Sequence, residues 1–334
     1  MYERFYEFTA PPFQLTPDSR FYFDSRAHAR ANAHLTFGLA QGEGFIVVTG
    51  EVGAGKTTLI ERLLDQLDRD TYMVARINTT QVSGDDLFRL AMAGFGLDAP
   101  GDSKSSLLLQ FENVLRDHRL AGRRSLLIID EAQNLSLAAL EELRMLSNLT
   151  EGGRASLQTL LAGQPQFRRM LASPDLDQLR QRVLASYHLG PLAREETRGY
   201  ILHRLATAGW HDKPRWQEAA FDVVHDQSGG IPRRINRLCS RVLLLGALEE
   251  TTEITAAMVQ ATAAELSADL EGGGAESALA PRATTAPAPV PARAQEDLAA
   301  LQRRLDGMEA KLARRERVFQ RLLDLLAIAG EGAR

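Results

Sequence analysis

The segment FIVVTGEVGAGKTTLIERLLDQL, Phe45 to Leu67, passes from an apolar run through three glycines to Lys-Thr-Thr and then to an amphipathic helical pattern. Few folds use that order. Residues Gly50-Glu51-Val52-Gly53-Ala54-Gly55-Lys56-Thr57 fit the spacing G-x-x-x-x-G-K-S/T. Phosphate oxygens must come close to a backbone, so Cβ atoms are unwelcome at such a turn. The exposed N–H groups and the N-terminus of the following helix then favour negative charge. Lys56 would reach the β- and γ-phosphates, and the Thr57 hydroxyl would ligate Mg²⁺. With Thr58, these positions make up the phosphate-binding set.

A loop of this kind needs a metal partner. SLLIIDEAQNL supplies one, an apolar run ending in Asp130-Glu131. A buried strand would deliver Asp130 to its carboxyl end beside the loop, where it holds the Mg²⁺ shell. Glu131 would polarise the attacking water as general base. The expected ligand is therefore ATP with Mg²⁺, and the expected reaction is hydrolysis.

Around these motifs the short apolar runs FIVV, YMVARI, SLLIID, LQTLLAG and RVLASYHL alternate with helical patterns. That alternation predicts an α/β fold, a parallel sheet with helices on its faces, over residues 45–190. Before it, residues 1–44 are aromatic and proline-bearing, with a helix around His28–Leu39; they are expected to pack on the core. Residues 191–270 read as helix only, with starts near Arg194, Arg215, Ile231 and Thr255. Residues 271–294, EGGGAESALAPRATTAPAPVPARA, have almost no large apolar side chains and read as a flexible linker. Beyond them, Leu298, Leu301, Leu305, Met308, Leu312, Phe319, Leu322 and Leu326 follow three-four spacing, interrupted by Arg315. Residues 295–329 are thus expected to be a coiled-coil helix.

Composition narrows the class. The chain has 334 residues, 44% hydrophobic and 25% charged, with a net charge of −4. A dedicated nucleic-acid binder more often carries a strongly basic domain, so no nucleic-acid partner is favoured. No run approaches the ~18 apolar residues of a membrane span, and the start MYERFYEFTAPPF lacks the form of a secretory signal. A cytoplasmic location is expected, with attachment at the inner face of the cytoplasmic membrane left open. The single cysteine, Cys239, lies among apolar residues and reads as a core thiol. The seven histidines show no metal-ligand spacing.

Taken together, the two motifs, the later strand, the arginines and the helical lid resemble an AAA+ ATPase. More narrowly, FQLTPDSRFYF, GEGFIVVTGEVGAGKTTL, LLIIDEAQNL, LEELRMLSN, AGQPQF, LRQRV and SGGIPRRINRLC resemble the ExeA/GspA-type secretion ATPases. Within them the likeness points to the branch accompanying exosortase (PEP-CTERM) and exopolysaccharide loci. It runs from about Met1 to Leu266. The resemblance implies a sensor-1 role for Gln164, an arginine finger at Arg182 with Arg180 as competitor, and a sensor-2 role for Arg233 on the lid. Arg234, Arg237 and Arg241 share a helical face and read as solvated or partner-facing. Asn78, ending the second strand, is a candidate for restraining Glu131. The resemblance also implies a homo-oligomer working with envelope export or polysaccharide-assembly proteins, reached through the coiled coil. ExeA-type proteins continue through a membrane helix into a periplasmic peptidoglycan-binding domain, whereas this sequence carries the linker and heptads, so cell-wall binding is not expected. Two rival readings are a DNA-linked transposition helper of the TniB or MuB kind, and a nucleotide-gated scaffold with negligible turnover.

Overall fold

The computed structural model describes residues 2–16, 18–78, 84–97 and 103–272. The expected linker, apart from its first two residues, and the whole expected coiled coil lie outside the described residues.

Five strands form one sheet: β1 (Phe45–Gly50), β2 (Tyr72–Asn78), β3 (Arg124–Asp130), β6 (Leu157–Gly163) and β7 (Val183–Leu189). Their order is β2-β3-β6-β1-β7, and every neighbouring pair is parallel. Between β3 and β6 a hairpin, β4 (Thr150–Glu151) with β5 (Arg154–Ala155), turns at Gly152-Gly153.

Parallel pairing requires crossovers, and helices supply them on both faces. Alternation along each strand sorts the core into two layers. Phe45, Val47, Leu127, Ile129 and Leu161 join one apolar cluster, and Ile46, Val48, Leu126, Ile128 and Leu160 join another. The first layer takes α4 (Gly84–Gly94), α5 (Lys104–Leu120), α6 (Leu137–Leu146) and α7 (Pro165–Leu171), through side chains such as Phe88, Phe111, Leu140 and Phe167. The short α8 (Asp177–Arg180) adds Leu179. The second takes α2 (Arg26–Gln41) and α3 (Lys56–Gln66), through Leu35, Leu39, Leu59 and Leu63.

A third apolar cluster belongs to the lid: α9 (Arg194–Thr207), α10 (Glu218–Ser228), α11 (Pro232–Leu248) and α12 (Ala256–Gly272). Sequence reading makes this region helix only. It contains a small parallel pair, β8 (Arg215–Trp216) with β9 (Glu253–Ile254), and the second lid helix starts at Glu218 rather than Arg215. Two-residue strands carry no periodicity that a sequence could betray.

The N-terminal segment also differs from expectation. α2 lies against the sheet, but the aromatic stretch before it packs with the lid. Tyr2 and Tyr6 of α1 (Tyr2–Tyr6), with Phe8, Phe13 and Phe21, share a cluster with Tyr200, Leu205, Trp216, Leu238 and Val242. Tyr6 donates its hydroxyl to the Thr251 carbonyl at 3.0 Å, and the Thr9 N–H donates to the Ala208 carbonyl at 2.9 Å. The physical reason is capacity: both faces of the sheet are already covered by helices, and the lid bundle offers the unpaired apolar side. Among the described residues no helix is long and apolar enough to cross a membrane.

Candidate functional site

The sheet order decides where the two motifs meet. β1 delivers Gly50 and the glycine loop at its carboxyl end, and β3 delivers Asp130 at the same end. β6 lies between them, so Gln164, the residue after it, emerges between loop and carboxylates. Ligand sites in parallel sheets form at carboxyl ends, where helix N-termini converge.

Within the loop, Gly53 and Gly55 have φ of 83° and 103°, values that side-chain-bearing residues rarely adopt. Space forbids a side chain as well. A Cβ on Gly53 would strike the Cβ of Arg233, and one on Gly55 would lie 2.6 Å from His28 Nε2. Gly55 then caps α3, whose first residue is Lys56. Lys56 is 6% exposed, and its Nζ donates to the carbonyls of Gly50 at 2.8 Å and Glu51 at 3.1 Å. Burial lowers its pKa, while the negative charges of Glu131, Asp130 and Glu51 oppose that shift. The loop thus holds a cation at its own mouth.

Thr57 donates its hydroxyl to Asp130 Oδ2 at 3.1 Å. The other carboxylate oxygen accepts the Glu131 N–H at 2.9 Å, which fixes the Asp130 side chain. Arg76, on β2, places its guanidinium 3.7 Å from Asp130 Oδ2 and pairs with Glu61. A hydroxyl and a carboxylate side by side are hard oxygen donors, which suits Mg²⁺ completing its shell with phosphate and water. Among the described residues no cluster of three or more His, Cys, Asp or Glu side chains could hold a metal by itself.

Glu131 adopts φ 54° and ψ 41°, a left-handed turn that costs a non-glycine residue of order 1–3 kcal/mol. That turn swings its carboxylate back across the sheet end. Oε2 accepts from Gln133 Nε2 at 2.5 Å and from Gln164 Nε2 at 3.1 Å. Gln133 also accepts the Gln164 backbone N–H at 2.9 Å, closing a small ring of amides around the carboxylate. Burial alone would raise the Glu131 pKa; the two glutamine donors and the Lys56 charge outweigh it and hold the pKa below the usual value. The carboxylate is therefore kept ionised. Asn78 stands opposite Asp130 in the β2–β3 register.

Arg233 and Arg182 lie at opposite ends of the sheet. Arg233, near the start of α11, donates its backbone N–H to the Gly53 carbonyl at 3.1 Å and lines the same cavity as Lys56, Thr57 and Glu131. Arg182 sits at the amino edge: its carbonyl accepts the Phe45 N–H at 2.9 Å. Its guanidinium donates to the Ser147 carbonyl and hydroxyl, each at 3.0 Å. Arg180 is ion-paired with Asp177 at 2.6 Å.

The cavity above the loop measures about 360 Å³. Val52, Gly53, Gly55 and Thr58 line one side; Leu15, Phe21, Tyr22, Leu192, Tyr200 and Asn236 line the other. Sequence reading finds the loop side and misses the far side, as well as Gln133. The far-side residues come from the N-terminal stretch, from the turn before α9 (Leu192) and from two lid helices, and no local pattern marks them. Gln133 lies inside the DEAQNL motif, so its proximity to Glu131 was the one available signal.

Residues 39–171 match the AAA domain family. The chain is 38% identical over 283 residues to general secretion pathway protein A of Aeromonas hydrophila, an alignment covering 84% of this chain and 51% of that protein. It thus spans about half the length of the curated relative it matches. Among solved structures it is similar to Cdc6p of Pyrobaculum aerophilum, with a TM-score of 0.58 at 15% identity over 73% of this chain and 67% of that one. It is also similar to the RuvB Holliday junction branch migration motor of Thermotoga maritima, with a TM-score of 0.51 at 21% identity over 78% and 75%. The fold is that of a P-loop AAA ATPase.

Proposed function

From an AAA fold and an extended similarity to general secretion pathway protein A, we propose that this chain binds and hydrolyses Mg²⁺-ATP within an oligomer. Its cycle would drive or regulate assembly of an envelope export system, exopolysaccharide- or exosortase-linked or resembling type II secretion. The observation that carries the hydrolytic reading is the Glu131 carboxylate, kept ionised by Gln133 and Gln164 beside Lys56. A nucleotide-gated scaffold has no use for a charge so held.

In this reading the loop backbone, Lys56 and Thr57 bind the phosphates, with Asp130 and Thr57 holding Mg²⁺, which neutralises phosphate charge when bound. The N-terminal and lid side of the cavity receives the base. Glu131 accepts the proton of the attacking water, Gln164 aligns that water, and Arg233 reports the phosphate state to the lid. Arg182 serves a neighbouring subunit. Its place at the amino edge of the sheet supports that assignment. β1, rising ~3.3 Å per residue, puts its own loop beyond the reach of an arginine side chain. Residues 295–329 are proposed as the helical handle that reaches the export partner at the inner face of the membrane.

The test separates binding from turnover. Lys56→Ala should abolish nucleotide binding, because the β- and γ-phosphates lose their fixed cation. Glu131→Gln should bind normally and hydrolyse about 10²–10⁴-fold more slowly, the usual worth of a general base. Wild-type turnover by Glu131→Gln would sink the base assignment. Tight binding with no turnover by the unmutated chain would favour the scaffold.

A further inference from the structure

His28 has no part in the reading so far. It lies near the start of α2, is 6% exposed, and lines the cavity beside Gly53, Gly55 and Lys56. Ser25 caps that helix. Its Oγ accepts the His28 backbone N–H at 3.2 Å and stands 2.8 Å from His28 Nδ1. Ser25 is itself buried, and among the described residues Nδ1 is the one acceptor its hydroxyl proton reaches. Leaving a buried hydroxyl proton unpaired is costly, so Ser25 donates to Nδ1. The proton of the neutral ring is then on Nε2.

Nε2 faces the phosphate loop: it is the atom nearest to where a Gly55 side chain would be, at 2.6 Å. No described residue accepts a hydrogen bond from it. Around the ring, Tyr22 packs edge-on at 5.9 Å, and Asp24 and Glu196 contribute negative charge. Burial nevertheless holds the His28 pKa below the usual value, so the imidazole is neutral at pH 7. The result is an N–H donor on a buried ring, fixed in tautomer by its neighbour and turned toward a cavity in which no described residue accepts its proton.

We infer that His28 donates its Nε2–H to an oxygen in the α-phosphate–ribose stretch of a bound nucleotide. The site lies between the two parts of the cavity that are otherwise accounted for. Lys56, Thr57 and the loop N–H groups serve the outer phosphates, and the N-terminal and lid side chains serve the base. The stretch that joins them passes His28. This assignment rests on the nucleotide-site reading above. It adds a specificity residue that neither phosphate-loop motif contains.

The test uses the full chain and ADP. His28→Leu should weaken ADP binding about tenfold or more, the scale of a hydrogen bond to a charged acceptor. His28→Gln, which can place an amide N–H near the same point, should recover most of the loss. In the unmutated protein, ¹⁵N-resolved spectra should show the Nε2–H tautomer before ligand is added and a shift of that nitrogen when ADP binds. Pyrophosphate binding should be the same in wild type and His28→Leu. Two ligand pairs separate the acceptors. Discrimination between the two α-thio epimers of ADP that disappears in His28→Leu assigns the α-phosphate. Discrimination against 2′- or 3′-deoxy-ADP that disappears assigns the ribose. Failure of both pairs, an Nδ1–H tautomer, or an equal loss of pyrophosphate binding overturns the proposal, the last by making His28 a prop for the loop. Lys56→Ala keeping full ADP affinity would instead mean that the nucleotide-site reading itself has failed.

Discussion

Gln133 belongs to no motif position with an assigned role, yet its amide ties Glu131 to Gln164 through both of its polar atoms. Its contribution should be orientation and charge. Gln133→Leu leaves the phosphate loop intact, so nucleotide binding should be unchanged while hydrolysis falls by up to about a hundredfold, the cost of a small misplacement. The pH profile adds a second readout. Glu131 must be ionised to take a proton, and the glutamine donors are part of what holds its pKa down against burial. With one donor gone, the burial contribution counts for more and the pKa rises. The acid limb of the hydrolysis profile should therefore move to higher pH. An unmoved limb with unchanged rate would leave Gln133 without a catalytic role.

At the scale of elements, Arg182 and Arg204 make different demands. Arg182 is held by Ser147 at the amino edge of the sheet, far from its own loop. Arg182→Ala should bind nucleotide normally and hydrolyse it poorly. Mixing it with Lys56→Ala should restore part of the activity, since some interfaces then join an intact loop to an intact arginine. No recovery in demonstrated mixed oligomers would point to Arg180. Arg204, on α9, is buried and has no carboxylate partner among the described residues. It donates to the carbonyls of Pro12 at 2.5 Å and Gln14 at 3.3 Å, and to the Tyr200 hydroxyl at 3.0 Å. Tyr200 in turn donates to Asn236 Oδ1 at 2.8 Å, so one network fastens the N-terminal stretch to α9 and α11. Arg204→Ala strands those carbonyls and removes the cation over the Phe21 ring, 4.8 Å away. A loss of about 3 kcal/mol in unfolding free energy is expected, measured by denaturant titration. A change within about 0.5 kcal/mol would show that the network adds nothing.

For the whole molecule, the N-terminal stretch is a strap that joins the two halves of the nucleotide cavity. Tyr2, Tyr6, Phe8, Phe13 and Phe21 pack with the lid, while α2, only a few residues later, packs on the sheet. Among the described residues, the three apolar clusters draw on side chains from Tyr2 to Leu266. A chain ending at Gly272 should accordingly fold and bind nucleotide with unchanged affinity. If residues 295–329 form the proposed heptad helix, the shortened chain should lose higher assembly or recruitment to the envelope, because such a seam cannot be buried by a lone helix. Sedimentation and cell fractionation of the shortened chain check this. Unchanged oligomeric state and location would leave the heptads without a role.

How much was legible in advance follows from how local each signal is. The phosphate loop could be read directly because glycine spacing, a strand before it and a helix after it are all contiguous in sequence. The same holds for Asp130 and Glu131, which end an apolar run, and for the alternation of strands and helices that specifies a parallel sheet. Gln164 could be placed only through family resemblance, and its contact with Glu131 exists because β6 inserts between β3 and β1, an order no local pattern encodes. His28 and Arg204 were illegible: each is one polar residue on an ordinary helix, and each acquires meaning only where the chain folds back on itself. The aromatic N-terminus was legible as apolar material needing cover, but not as cover for the lid. Sequence records which surfaces must be buried; the choice between two apolar partners is made by which of them remains open once the sheet has closed.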